Sequence, residues 1–441
     1  MTSPASVQRL GGGQIVLALG VLQALAFAVY LFRSVYTVPY WDTLDWIDAY
    51  FQASSMGEWL WQQHVDVRQV VLKSLIALDL WLFGGRLVLI AVVAWATMFF
   101  GIAALISAVR RTVSEPGARA FCVGAVLIFG LQTFTLPSYM ATNTVQHALV
   151  SSFLLFSVAT IVGTESNVSM SWGRVCAAIS AAALASLSYV NGFLAWPIIL
   201  WAGWCRGLSA RQAVAIVLVG GALAVIHLNG LQPAAGHPDP FRSIAAPADL
   251  FWFVVEFFAV PWIKVPVLAP VGLSIGLFII VVSGLALVAT VWRGRACRPM
   301  TIIAIAITAF ALGSALMIGL GRIGITDLRL GGTRFGIYVA LLHMALMMLG
   351  FAPVERLWSR AKARLVFVAA ALVVAVPLGV QQVVIGEAAT AAARNVAEAG
   401  AALRAGSNEE HFLRVIHPDP ETALAILSTM RERGVYGFGK P

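Results

Sequence analysis

Pro39-Tyr40-Trp41-Asp42-Thr43-Leu44-Asp45-Trp46, and then Gln62-Gln63-His64-Val65-Asp66-Val67-Arg68-Gln69, follow directly on an apolar run from Gln14 to Phe32. That run approaches the roughly 20 residues a helix needs to cross a bilayer. An acidic pair among aromatics, then His64, Asp66 and Arg68 at alternate positions, therefore stands at a membrane surface. The cluster reads as one wall of an active site.

Working outward, the rest of the chain agrees with a membrane setting. Hydrophobic residues make up 60% and charged residues 11%, mean hydropathy is +0.87, and soluble domains carry roughly 25% charged residues. Eleven apolar runs are candidate spans: Gln14–Phe32, Leu87–Val109, Arg119–Phe134, Thr144–Val162, Arg174–Tyr189, Phe193–Cys205, Gln212–Leu228, Val267–Trp292, Thr301–Leu320, Gly336–Phe351 and Leu365–Val384. The fold class expected is an all-α polytopic membrane protein, with residues 1–384 forming the membrane domain and 385–441 a short helical tail.

Orientation follows from the basic residues, which collect in short connections on the cytoplasmic side. With the N-terminus inside, those connections hold Arg9, Arg110, Arg111, Arg119, Arg174, Arg206, Arg211, Arg293, Arg295, Arg298, Arg356, Arg360, Lys362 and Arg364. An odd number of spans then places the tail outside, in a bacterial inner membrane. The net charge of +9 is mostly this topology signal, with anionic lipid headgroups as its partner. No basic stripe points to nucleic acid. Cys122, Cys176, Cys205 and Cys297 show no zinc spacing and read as small buried hydrophobes.

Polar residues gather in the long connections of the other face. In the first, 33–86, the segment Arg68 to Phe83 reads as an interfacial helix carrying Gln62, Asp66, Gln69 and Lys73 on one stripe, ended by Gly84-Gly85. Asn143 and His147 lie one helical turn apart at the entrance to the fourth span. Asn191-Gly192 reads as a surface turn between spans five and six. His237, Asp239 and Arg242 follow the seventh span, and they fit either a substrate contact or a solvated loop. Arg322, Arg329 and Arg334, with Gly331-Gly332 between the last two, form a candidate phosphate cradle, because a guanidinium can grip two phosphate oxygens at once. In the tail, Gly386 to Ala405 reads as one helix. Asp419-Pro420-Glu421 starts another that Gly434 stops, its amphipathic pattern suited to packing back on the loops.

This order of features resembles the GT-C superfamily of integral-membrane glycosyltransferases. The resemblance rests on Tyr40-Trp41-Asp42, Gln63-His64-Val65-Asp66-Val67-Arg68, Asn191-Gly192 and Gly332-Thr333-Arg334-Phe335. Related bacterial chains often have two histidines before the arginine, where this one has His64 and Val67 before Arg68. The resemblance implies a polyprenyl-phosphate-linked sugar as donor and transfer on the outer face to a lipid, polysaccharide or protein acceptor. Asp42 is then the first choice for the base, with Asp45 as its substitute. His64 or Asp66 would orient the acceptor, and the arginines would meet the phosphate. No cofactor is required by the sequence; a divalent metal (Mg or Mn) stays open, because metal use varies within the superfamily.

Two other readings compete with this one. Trp41-Asp42 fits a simple cap and interface anchor for a helix beside the membrane. The outer arginines also fit a flippase of a lipid-linked sugar, although the spans show no inverted repeat and no mid-membrane charges of the kind transport pathways carry.

Overall fold

A computed structural model describes residues 11–438, apart from 66, 164–169, 233–239, 265–267, 295–296 and 324–331, and apart from the side chains at 240–242 and 332–333. The described chain is helical, and its only ladder pairing is an isolated antiparallel bridge between His64 and Val67. Eight helices among the described residues are long and apolar enough to cross a membrane. All eleven expected runs appear as helices. Those covering Pro116–Gly130, Trp172–Ser188 and Val190–Cys205 fall short of spanning length.

The first helix, α1 (Gly12–Arg33), leads into α2 (Asp42–Gln52), α3 (Met56–Trp61) and α4 (Val70–Phe83). These three short helices build the first loop. The expected continuous stripe from Gln62 to Lys73 is corrected here. His64 and Val67 exchange backbone hydrogen bonds of 2.9 and 3.1 Å around a Val65 at φ 54°, so helix geometry begins only at Val70.

Helices α5 (Val88–Thr112), α6 (Pro116–Gly130), α7 (Pro137–Met140) and α8 (Val145–Val162) follow, then α9 (Trp172–Ser188), α10 (Ala195–Cys205) and α11 (Ala210–Leu228). Next come α12 (Pro240–Ala245), α13 (Pro247–Ile263), α14 (Gly272–Arg293) and α15 (Pro299–Arg322). The last five are α16 (Gly336–Leu349), α17 (Phe351–Leu357), α18 (Ala361–Arg404), α19 (Glu410–Ile416) and α20 (Pro420–Arg433).

Burial separates centre from rim. The spans through α8, α15 and α16 are 67–78% buried along their apolar windows, whereas those through α11, α14 and α18 are 22% buried. The rim helices turn Leu218, Phe278, Val373 and other large apolar groups outward. A soluble protein would not expose so much apolar surface, but lipid accepts it. Trp81 beside the first loop and Trp292 at the far end of α14 are exposed like interfacial anchors. Cys176, expected to be buried, is exposed on α9.

Two devices hold the bundle together. Helices α1 and α6 approach through glycine: a Cβ on Gly20 would lie 2.6 Å from the Gly124 carbonyl, and one on Gly124 would lie 2.5 Å from the Val16 carbonyl. In lipid, where apolar groups gain little by hiding from the solvent, such backbone contact is a main source of helix association. The second device is a set of glutamines around the non-helical backbone after α6. The amide oxygen of Gln382 accepts from Thr133 N–H at 2.8 Å, and its amide nitrogen donates to the carbonyls of Gln23 (3.1 Å) and Leu131 (3.3 Å). Irregular backbone at membrane depth persists only when its polar groups are satisfied in this way.

The last apolar run and the start of the tail form one helix. Helix α18 runs without a break through 384 and 385 to Arg404, and at 1.5 Å per residue it is about twice the length needed to span the bilayer. Its projecting half packs on the chain after α1, with Gly400 against Val38 and the Thr390 hydroxyl 3.4 Å from that of Ser34. Helices α19 and α20 then return to the first loop, where Tyr436 N–H donates to the Gly84 carbonyl at 2.9 Å. The tail and the first loop therefore share one face of the molecule.

Candidate active site

The site is assembled around Asp42, and local backbone fixes where that residue points. Trp41 has φ 49° and ψ −128°, a conformation costly for a residue with a side chain. It is held by its N–H bond to the Ile416 carbonyl (2.7 Å) and by stacking on Tyr40 (5.6 Å). Asp42 is the first residue inside α2 rather than its cap, so its carboxylate is free to face a cleft. Leu44, Trp46 and Ile47 anchor the helix in the core, and the Trp59 indole braces it by donating to the Trp46 carbonyl at 2.9 Å.

Opposite Asp42 lies His64. The tight 64–67 bridge and edge-on contact with Trp46 (5.1 Å) set its ring, and its Nε2 is 3.8 Å from Asp42 Oδ2. Asn143 and His147 near the start of α8, Arg322 from the end of α15, and Arg334 with Phe335 before α16 complete a cleft that opens to solvent. His147 is fixed by a 2.9 Å hydrogen bond between its Nδ1 and the Tyr338 hydroxyl. Arg334 lies over the Phe335 ring at 4.9 Å, and the Ser138 hydroxyl holds its backbone carbonyl at 3.0 Å.

Five side chains lining this cleft carry a buried polar atom without a hydrogen-bond partner: His64 Nε2, Gln69 Oε1, Asn143 Oδ1, Gln146 Oε1 and Arg334 Nε. Buried polar groups are nearly always paired, so this cluster offers its hydrogen-bonding capacity to water or to a polar ligand in the cleft. The electrostatics point the same way. Burial works to raise the Asp42 carboxyl's pKa, but the facing His64 and the positive fields of Arg334 and Arg322 outweigh it and hold the group below the usual carboxylate range. Asp42 is thus an ionised carboxylate across from two guanidinium groups.

Other expected site residues stand elsewhere. Asp45 is turned away from the cleft and pairs with His417 of the tail at 3.3 Å; burial raises its pKa above the ordinary value. Arg68 is a tether: its guanidinium donates to the carbonyls of Trp61 (3.0 Å), Asn229 (2.8 Å) and His227, closing the C-terminal end of α11. Lys73 donates to the carbonyls of Trp59 (2.8 Å) and Gln62 (2.7 Å), which ties the first loop together. Both cations serve backbone groups, because each sits under a loop whose carbonyls lack helical partners. Asn191, expected in a surface turn, is buried in a 3-10 turn and donates to the Ser314 hydroxyl at 2.8 Å. Gly192 explains the placement, since a Cβ there would meet the Ala185 carbonyl at 2.1 Å. Asp66, His237 and Arg329 lie outside the described residues, as does the side chain of Arg242.

Gln69, expected on the polar stripe of the first loop, lines the cleft, and so do Gln146 and Tyr189, which sequence reasoning passed over. Gln146 precedes His147 and Tyr189 lies two residues before Asn191, so proximity to those residues was the available signal. Among the described residues no three His, Cys, Asp or Glu side chains come together as a metal-ligand set. The donor set at the cleft, one carboxylate and two imidazoles with two guanidinium groups, suits an anion better than a cation.

No protein-family model matches the chain, and no curated protein matches it in sequence. In fold it is similar to crystal structures of ArnT from Cupriavidus metallidurans. The undecaprenyl phosphate complex gives a TM-score of 0.41 at 16% identity over 96% of this chain and 76% of that one. The apo state gives 0.43 at 18% identity over 96% and 75%.

Proposed function

We propose that the chain is a membrane glycosyltransferase that moves a sugar from a polyprenyl-phosphate donor to a hydroxyl of a cell-envelope acceptor, on the extracytoplasmic face of a bacterial inner membrane. The observation that carries this reading is the convergence of an ionised carboxylate, two guanidinium groups and several unpaired polar atoms in one cleft at the loop face. A lipid-linked donor needs its phosphate at the membrane surface and its chain among the spans, and the cleft has that position. The GT-C resemblance of the sequence motifs supports the same chemistry.

In the proposed reaction Asp42 accepts the proton of the acceptor hydroxyl as that oxygen attacks the anomeric carbon. The bond from that carbon to the phosphate oxygen breaks, and polyprenyl phosphate leaves with its electron pair. Arg334 and Arg322 stabilise the charge that grows on the leaving phosphate. Their positive field also weakens Asp42 as a base while the cleft is empty. A bound phosphate offsets that field and raises the proton affinity of Asp42, so the base strengthens when the donor arrives. Asn143, Gln69 and Gln146 are placed to take hydrogen bonds from sugar hydroxyls.

The reading is tested by transfer of radiolabelled sugar from a panel of polyprenyl-phosphate sugars into membrane extract. Wild type consumes one donor. Asp42→Asn lowers the rate by about 10²–10⁴, the usual weight of a general base. Movement of the lipid-linked sugar across the bilayer with no transfer from any donor would instead assign the cleft to transport.

A further inference from the structure

We propose that His417, in the C-terminal tail, is a positioning residue for Asp42, making the tail part of the catalytic apparatus. The inference rests on the glycosyltransferase reading above and adds a residue to it. Two contacts from successive tail residues grip the first turn of α2 on either side of Asp42. Ile416 accepts the Trp41 N–H at 2.7 Å, just before Asp42. His417 Nε2 reaches Asp45 Oδ1 at 3.3 Å, one turn after it.

The His417 ring is set for that task. Its side chain is 8% exposed, and its Nδ1 lies 2.8 Å from the Asp419 carbonyl oxygen and 3.1 Å from the Asp419 backbone nitrogen. These contacts pin the ring from its Nδ1 side and leave Nε2 aimed at the Asp45 carboxylate. The pairing also settles a conflict between like charges. Asp45 has Asp42 and Asp48 as acidic neighbours on its own helix, and His64 and His417 are the groups that oppose them from other elements. The strained Trp41 needs external support as well, and the same stretch of tail supplies it through the Ile416 carbonyl.

The rest of the tail keeps this grip in register. Arg433 of α20 lies over the Phe51 ring of α2 at 5.7 Å, and the Tyr436 ring packs on Gly85 where a Cβ would lie 2.7 Å away. The tail therefore holds the first loop at several points, and residues 416 and 417 bond to the turn that carries Asp42. Displacements near 1 Å at a reacting group are enough to slow a reaction about a hundredfold.

The test uses the full chain with His417→Ala and His417→Gln, the second keeping an N–H donor near the Nε2 position. Two quantities are read: transfer kinetics, and hydrogen exchange of the amides from Trp41 to Ile47. The inference expects His417→Ala to lower kcat about ten- to a hundredfold with KM for the donor unchanged, since the arginines are untouched, and to speed exchange in that segment alone. His417→Gln should restore most of both. Equal loss in both variants would reduce His417 to a packing residue and overturn the inference, as would a His417→Ala enzyme with wild-type kcat and exchange. Should wild type transfer from no donor, the glycosyltransferase reading fails on its own. Exchange then decides the grip: local loosening in His417→Ala upholds it, and unchanged protection overturns it.

Discussion

Asp42 and His64 set the pH behaviour expected of the site. The Asp42 carboxyl lies below the ordinary range because His64, Arg334 and Arg322 outweigh its burial. A base acts only when ionised, so kcat/KM, which reports the empty cleft, should persist to pH values below the usual carboxylate pKa. Replacing His64 by Gln removes one of the influences that lower the pKa. The Asp42 pKa then rises, and the acid limb of the rate profile moves to higher pH, which a pH series of transfer rates on both proteins would reveal. An acid limb that stays in place, or moves lower, would show that His64 does not act on Asp42. The neighbouring pair, Asp42 and Asp45, also shows what a sequence can carry. Their spacing of three residues was plain, but their division of labour was not. It depends on His417, which lies far away in the chain and has no local pattern that points to Asp45.

At the scale of elements, several charged residues that drew attention in the sequence are fasteners of the first loop. Asp79 accepts from the N–H groups of Leu87 (2.7 Å) and Leu89 (2.7 Å), capping α5 where Leu87 takes a φ of 60°. Replacing Asp79 by Ala leaves those donors buried and unpaired, at a cost of about 1–3 kcal/mol. Thermal unfolding in detergent should register that loss while KM for the donor stays unchanged; a change in KM with no loss of stability would show that Asp79 acts on the site instead. The α1–α6 contact makes a second case. Gly124→Leu forces a side chain into the Val16 backbone, an overpacking of about 1–3 kcal/mol or more. The variant should be recovered from membranes in lower yield and melt earlier than wild type. The eleven apolar segments were legible because hydropathy acts over many residues. Their ends were less so: α18 hides its exit from the membrane in an alanine-rich stretch that continues as helix, and the 64–67 bridge breaks a stripe that periodicity alone extends.

For the whole molecule, the face that carries the first loop also carries the tail, the start of α8 and the chain before α16, so the polar residues that line the cleft gather on one side. The basic connections and that face are predicted to lie on opposite sides of the bilayer. With the four native cysteines replaced, Ala405→Cys should react with a membrane-impermeant maleimide from outside the cell, whereas Arg111→Cys should react only after the membrane is opened. Labelling of both from one side would overturn the assigned orientation.

The central claim is that the cleft divides its work, with Arg334 holding the donor phosphate and Asp42 acting on the acceptor. The most direct measurement is the affinity for a polyprenyl phosphate alongside single-turnover transfer, for wild type, Asp42→Asn and Arg334→Ala. The account predicts that Asp42→Asn binds the lipid at least as tightly as wild type, because a negative charge near the phosphate is gone, yet transfers about 10²–10⁴ more slowly. Arg334→Ala should bind more weakly and transfer more slowly as well. An Asp42→Asn protein that transfers at the wild-type rate, or an Arg334→Ala protein that binds the lipid unchanged, would contradict it.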